Sequence, residues 1–154
     1  MATESPRVSV IIPAYNAAAY VAEAISSVQV QTYTDLEIIV VDDGSTDETA
    51  AVVAGIADDR LRYVYQENAS QAVARNTGIR GGQSEVIAFL DADDRWLPKK
   101  LEEQLGCLQD PQVGVVCSGA KEIDEDGGLL TQRSVTIPGG DTRRNLICEN
   151  FVYC

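Results

Sequence analysis

The chain contains no histidine, and that absence removes several kinds of chemistry at once. A His-based nucleophilic triad cannot be built, and a zinc centre is not expected. The cysteines, Cys107, Cys117, Cys148 and Cys154, show no CxxC spacing. They read as small core residues of a reducing compartment rather than as metal ligands. Positive charge is also scarce, with 12 Lys and Arg facing 24 Asp and Glu for a formal net charge of −12. Such a chain offers no counter-charge to nucleic acid or to an anionic membrane surface. No apolar run approaches the roughly 20 residues of a membrane-spanning helix, and the opening MATESPR has no apolar signal region. A cytoplasmic protein is the expectation. Internal repeats and low-complexity segments are absent too, and 154 residues suit a single domain over 1–154 with an ordinary core.

What is present is a series of apolar, β-branched runs, each followed by a turn. Val8 to Ile12 is such a run and ends at Pro13, as a strand buried on both faces of a parallel sheet does. Asn16 predicts the N-cap of a helix reaching about Val30. Leu36 to Val41 predicts a second buried strand closed by Asp42-Asp43-Gly44, and Ser45 with Glu48 forms a capping box for the next helix. Leu61 to Tyr65 predicts a short third strand, and Ser70 to Ile79 a helix stopped by Gly81-Gly82. Val86 to Leu90 predicts a fourth strand that runs into Asp91-Ala92-Asp93-Asp94, and Pro98 opens a helix to about Gln109. Val113 to Ser118 reads as a fifth strand, and Ile123 to Leu130 as a hairpin turning on Asp126-Gly127-Gly128. Alternating strands and helices imply an α/β sandwich with a largely parallel sheet, in which ligands sit at the carboxyl ends of strands. Both acidic clusters fall there.

Asp91-x-Asp93 leaves a buried strand with two carboxylates one residue apart. Hard oxygen donors on a fixed scaffold suit Mg²⁺ or Mn²⁺, which take one or two protein carboxylates and complete their shell with ligand phosphates. A lone acidic pair is more often a solvated turn, but here a second acidic strand end lies upstream. A divalent cation also explains how so acidic a chain holds a diphosphate. Asp42-Asp43-Gly44-Ser45 doubles as a tight turn and helix cap. Asp42, at the strand end, is expected to accept the imide N–H of a nucleobase, a group uracil carries at N3 and cytosine lacks.

Val8-Ser9-Val10-Ile11-Ile12-Pro13-Ala14-Tyr15-Asn16, Val40-Val41-Asp42-Asp43-Gly44-Ser45-Thr46-Asp47, Ala74-Arg75-Asn76-Thr77-Gly78 and Asp91-Ala92-Asp93-Asp94 follow one another in this order. Together they resemble the successive signatures of the family 2 inverting glycosyltransferases of GT-A fold, over about residues 7 to 118. The resemblance implies a GT-A (Rossmann-like) α/β/α sandwich with a largely parallel central sheet. Residues 7–118 would form its nucleotide-sugar-binding half, and 119–154 an incomplete start of the acceptor side. It implies that Pro13, Ala14 and Tyr15 line the nucleobase pocket and that Asp42 takes the uracil N3–H. Asn68 and Arg75 would contact the base or the phosphate side, Asp91 the ribose, and Asp93, beyond Ala92, the metal that bridges the diphosphate. Where the family often has glycines before Ala74-Arg75-Asn76, this chain has Asn68-Ala69-Ser70-Gln71.

The reaction implied is transfer of a sugar from a nucleoside-diphosphate donor, UDP-sugar by the imide argument, to an acceptor hydroxyl with inversion. Mn²⁺ or Mg²⁺ would be the cofactor, a saccharide or lipid-linked molecule the acceptor, and the cytoplasm or the inner membrane face the location. Inversion requires a general base. In the family it lies well downstream of the Asp-x-Asp pair, so it is expected beyond Cys154. Glu122, Asp124, Glu125 and Asp126 look like a polar hairpin tip, and Glu149 sits in a final apolar segment. Two rivals share the α/β pattern. A sugar-phosphate nucleotidyltransferase would need a glycine-rich basic loop after the first strand, where Pro13-Ala14-Tyr15-Asn16 stands. A phosphate-accepting receiver domain would carry its acidic pair after the first strand rather than the second. A non-catalytic nucleotide-sugar sensor is a third reading.

Overall fold

The computed structural model describes residues 7–124 and 128–133. Backbone contacts divide the chain into two compact units, Met1–Glu103 and Gln104–Cys154. Unit 1 carries a parallel four-stranded sheet ordered β3-β2-β1-β4, formed by β1 (Val8–Ala14), β2 (Leu36–Asp43), β3 (Leu61–Gln66) and β4 (Val86–Phe89). The two central strands are buried along their whole lengths, which is why both read as unbroken apolar runs. Helices α1 (Val21–Gln29), α2 (Thr49–Ala54) and α3 (Gln71–Gly81) supply the crossovers, and α4 (Lys100–Cys107) follows β4. The parallel central sheet is the one expected.

Strand parity sorts the residues between the two faces of the sheet. Ile11, Ile39 and Val41 pack with Ala74 of α3, and Val64, Ile87 and Phe89 pack around them. On the opposite face Leu61 and Tyr63 meet Ala50, Val53 and Ala54 of α2, with α1 beside α2. Helix α3 approaches so closely that a Cβ on Gly78 would overlap the Ile11 side chain. At the amino ends of the strands Glu37 is buried but fully engaged. Its carboxylate accepts from Ser9 Oγ (2.6 Å), Gln83 N–H (2.6 Å) and Arg62 (3.2 Å). A buried charge is tolerable when it is paired and bonded in this way.

Several elements begin elsewhere than the sequence pattern suggests. Asn16 is no helix cap: its backbone is left-handed (φ 49°), and α1 starts only at Val21 after a turn closed by Ala17 C=O. Ser45 and Glu48 form no capping box. Helix α2 starts at Thr49, and the N–H of Thr49 donates to Asp47 instead. Residues 113–119 carry no strand, since no described segment pairs with them and a strand exists only through its ladder. Unit 2 contains a hairpin of β5 (Ala120–Ile123) and β6 (Leu129–Arg133), with Asp124 N–H donating to Gly128 C=O. The hairpin expected between Ile123 and Leu130 is therefore present, though residues 125–127 of its turn lie outside the described residues. Cys107 is exposed and Cys117 half-buried, so neither is a core residue. Cys148, Cys154, Glu149 and the final apolar segment lie outside the described residues.

The Gly78 contact is testable. Gly78→Ala gains about 1 kcal/mol of helix propensity but overpacks the α3–β1 seam, which typically costs about 1–3 kcal/mol. Urea denaturation should show a net loss of stability. An unchanged or higher midpoint would contradict the close approach.

Candidate functional site

A cavity of about 290 Å³ opens at the carboxyl ends of β1, β2 and β4. Its wall is Pro13, Ala14, Tyr15, Asn16, Ala17 and Tyr20 from the end of β1 and the turn after it. Asp43 comes from β2, Gln71 and Ala74 from α3, and Asp91, Ala92 and Asp93 from the turn after β4. Tyr15 and Tyr20 present exposed rings, 55% and 57% accessible. The structure therefore brings Pro13, Ala14, Tyr15, Asp91, Ala92 and Asp93 together, as the motifs suggested.

Asp42 is placed elsewhere, and the reason is strand geometry. Successive side chains of a strand point to opposite faces. Asp43 shares the face of Val41 and α3, where the cavity lies; Asp42 shares the face of Tyr63 and α2. Only 1% accessible, Asp42 accepts the Tyr63 hydroxyl on Oδ2 (2.6 Å) and the Ser45 N–H on Oδ1 (2.7 Å). Burial, that hydrogen bond and the charges of Asp42 and Tyr65 raise the Tyr63 phenol well above its usual value.

Asp43 is the carboxylate that faces the cavity. Its Oδ1 accepts from Gln66 Nε2 (2.6 Å) and Ala69 N–H (2.9 Å), and its Oδ2 from Ser70 N–H (2.9 Å). Burial works against its charge, but the Ala69 N–H, the Gln66 amide and the Ser70 N–H outweigh that and hold its carboxyl below the usual 3.8. An ionised carboxylate has about four acceptor sites. With three donors in place, one is left, and Asp43 lines the cavity. Asn68 also belongs here rather than in the cavity wall: its Nδ2 donates to Asp43 C=O (2.9 Å). Gly44 (φ 78°) permits this packing, since a Cβ there would stand 2.8 Å from Asn68 N.

Arg75 does not line the cavity either. Its Nη2 pairs with Asp91 Oδ1 (2.7 Å), and its guanidinium lies 5.7 Å from the Phe89 ring centroid. Its buried Nε has no partner. Gln71 Nε2 donates to the same Asp91 oxygen (3.1 Å), so two side chains of α3 hold that carboxylate in position. Desolvation and the charges of Asp93 and Asp91 push the Asp94 carboxyl above its usual value.

Among the described residues no three His, Cys, Asp or Glu side chains converge as a complete ligand set. Asp91 and Asp93 nonetheless line one cavity. Two hard carboxylates fit a divalent ion that draws its remaining oxygens from a ligand, as Mg²⁺ does with nucleotide phosphates. Tyr20, Asn16, Ala17, Gln71 and Ala74 were not legible as cavity residues from the motifs. For Gln71 the one available signal was its spacing of four from Arg75, which puts both on one helix face.

Asp43 predicts a pH effect with a definite sign. A carboxyl whose folded pKa lies below its unfolded value of 3.8 contributes stability above that value, and the contribution is lost as pH falls through the folded pKa. The stability difference between the native protein and Asp43→Asn, from urea melts, should be largest above pH 4 or so and shrink in stronger acid. A difference that stays constant across this range would contradict the three-donor cradle.

The family model for glycosyl transferase family 2 matches residues 9–154. An uncharacterized glycosyltransferase of Nostoc sp. is 40% identical over 135 residues, covering 86% of this chain and 42% of that protein. The mannosyltransferase PcManGT from Pyrobaculum calidifontis, solved with GDP-Man and Mn²⁺, superposes with a TM-score of 0.70 at 36% identity, covering 78% of this chain and 37% of that one. S. aureus TarS 1–349 in complex with UDP superposes with a TM-score of 0.63 at 28% identity, covering 68% and 32%. The chain thus spans well under half the length of these three relatives. On the matched motifs, the sheet and the cavity at its carboxyl edge, the chain belongs to glycosyl transferase family 2.

Proposed function

We propose that this chain supplies the donor site of a metal-dependent glycosyltransferase that takes a UDP-sugar and transfers the sugar to an acceptor hydroxyl with inversion. The observation that carries the proposal is the grouping in one cavity of Tyr15, a bonded but unsaturated Asp43, and the pair Asp91 and Asp93. Each matches one part of a nucleoside diphosphate. The exposed Tyr15 ring offers a stacking face for the base. The remaining acceptor site of Asp43 suits an imide N–H, so this role passes from Asp42 to Asp43. Asp91, held by Arg75 and Gln71, would accept from ribose hydroxyls.

An acceptor-only carboxylate selects bases with a ring N–H, which uracil and guanine have and cytosine lacks. The cavity of about 290 Å³ lies at the low end for ligand sites, which favours the single ring of uracil. The UDP complex of TarS supports the same choice, and the GDP-Man complex of the mannosyltransferase marks guanine as the base to test against it. Asp93, with Asp91, would hold Mn²⁺ or Mg²⁺. The ion would neutralise the diphosphate and the charge that develops on the departing UDP. The carboxylates of the cavity are then committed to donor and metal. The base that deprotonates the acceptor is proposed to lie further along the polypeptide, and its loss typically costs about 10²–10⁴-fold in rate.

Calorimetry with UDP, CDP and GDP, each with Mn²⁺ and with EDTA, tests the donor assignment. UDP should bind about 10- to 100-fold more tightly than CDP, the worth of one charge-assisted hydrogen bond. Asp93→Asn should remove most of the metal-dependent part. Equal affinities for UDP and CDP, or binding indifferent to metal, would contradict the proposal. A UDP-release assay on these 154 residues should show no acceptor-dependent turnover beside the donor binding read by calorimetry. Robust transfer would contradict the placement of the base.

A further inference from the structure

The turn after β1 and the turn after β2 are about 30 residues apart in sequence, yet they are laced together by side chains. Three consecutive N–H groups of the first turn donate to the second. Asn16 N–H donates to Ser45 Oγ (2.9 Å), Ala17 N–H to Thr49 Oγ1 (2.9 Å) and Ala18 N–H to Asp47 Oδ2 (3.1 Å). In return Thr46 N–H donates to Asn16 Oδ1 (2.8 Å). Asp47 Oδ1 in turn accepts the N–H (3.0 Å) and the hydroxyl of Thr49. The left-handed backbone of Asn16 (φ 49°) carries a conformational cost, offset here because both its N–H and its side-chain oxygen are engaged across the gap.

The first turn is the cavity wall, with Tyr15, Asn16 and Ala17, and the second follows directly on Asp43. Ser45, Asp47 and Thr49 line no part of the cavity. Three of the four bonds, all but the one from Ala17, are exposed, so water can replace them with little loss of stability. What water cannot replace is the fixed spacing between the turns. We infer that Ser45, Asp47 and Thr49 are positioning residues that set the gap between the Tyr15 wall and Asp43, and so the fit of the nucleobase between a stacking ring and a hydrogen-bond acceptor. The inference rests on the reading that this cavity takes a uracil nucleotide. Loosening the clamp leaves the matching gap populated only part of the time, and apparent affinity falls by that fraction.

The test compares Asp47→Ala and Ser45→Ala with the native protein and with Ser45→Thr, which keeps the hydroxyl. Calorimetry with Mn²⁺ is run with UDP and with inorganic pyrophosphate, which lacks the base, well below each melting temperature so that every variant is folded. Both alanine variants should bind UDP about tenfold more weakly, while their pyrophosphate affinity and that of Ser45→Thr for UDP stay within about twofold. A merely structural clamp would lower the melting temperature and leave the UDP affinity of the folded protein unchanged, and that result would overturn the inference. Equal weakening of UDP and pyrophosphate would overturn it too, because the loss would not lie at the base. Should the native protein itself bind UDP no better than pyrophosphate, the donor reading fails and the inference with it. Should the native protein prefer UDP and the alanine variants match it, only the inference fails. If Asp47→Ala does not fold, Ser45→Ala and Ser45→Thr decide the matter alone.

Discussion

Two adjacent carboxylates at the end of a buried strand have to be satisfied, and the site is built by the ways in which they are. Asp42 and Asp43 are 1% and 4% accessible, on opposite faces of the sheet. An unpaired buried charge is among the costliest features a fold can carry, so each recruits donors from whatever chain runs beside it. Asp42 draws in Tyr63 and the Ser45 N–H, and this orders the turn after β2. Asp43 draws in Gln66 and the N–H groups of Ala69 and Ser70, and this folds the loop between β3 and α3 against the cavity. The turn after β2 then holds the turn after β1. Three turns that have no ladder of their own become one rim.

Electrostatics follows from the same economy of cations. Arg75, outside the cavity wall, already serves Asp91, with Gln71 on the same oxygen. Asp93 and Asp94 stand beside Asp91, and burial together with the charges of Asp93 and Asp91 raises the Asp94 carboxyl. On a chain of net charge −12 this is a poor place for a naked diphosphate. Under the proposed function the diphosphate would arrive with a divalent ion, and that cation would answer both the protein and the ligand.

How much of this was legible in the sequence depended on whether the cause was local. The runs Val8 to Ile12 and Leu36 to Val41 announced buried parallel strands, because burial on both faces leaves only one kind of pattern. The Gly81-Gly82 stop, and the placement of Asp91 and Asp93 after an apolar strand, were local for the same reason. The choice between Asp42 and Asp43 was not local. It depends on which face of the sheet carries α3, and a run apolar on both faces conceals its own parity. Asn16, Ser45 and Glu48 misled because a side chain that can cap a helix can equally bridge to a distant turn, and only the fold decides which. Arg75 was read as a ligand contact because its partner, Asp91, is 16 residues away in sequence.

The division of labour between the two carboxylates is the central claim, and one paired measurement addresses it. UDP affinity is measured in the presence of Mn²⁺ for Asp42→Asn and Asp43→Asn, with melting curves showing that both are folded. The account predicts that Asp43→Asn loses the preference for UDP over CDP. Asp42→Asn, whose side chain faces Tyr63 and α2, is predicted to keep that preference even where its melting temperature falls. The reverse pattern, with discrimination lost at Asp42 and kept at Asp43, would contradict the account.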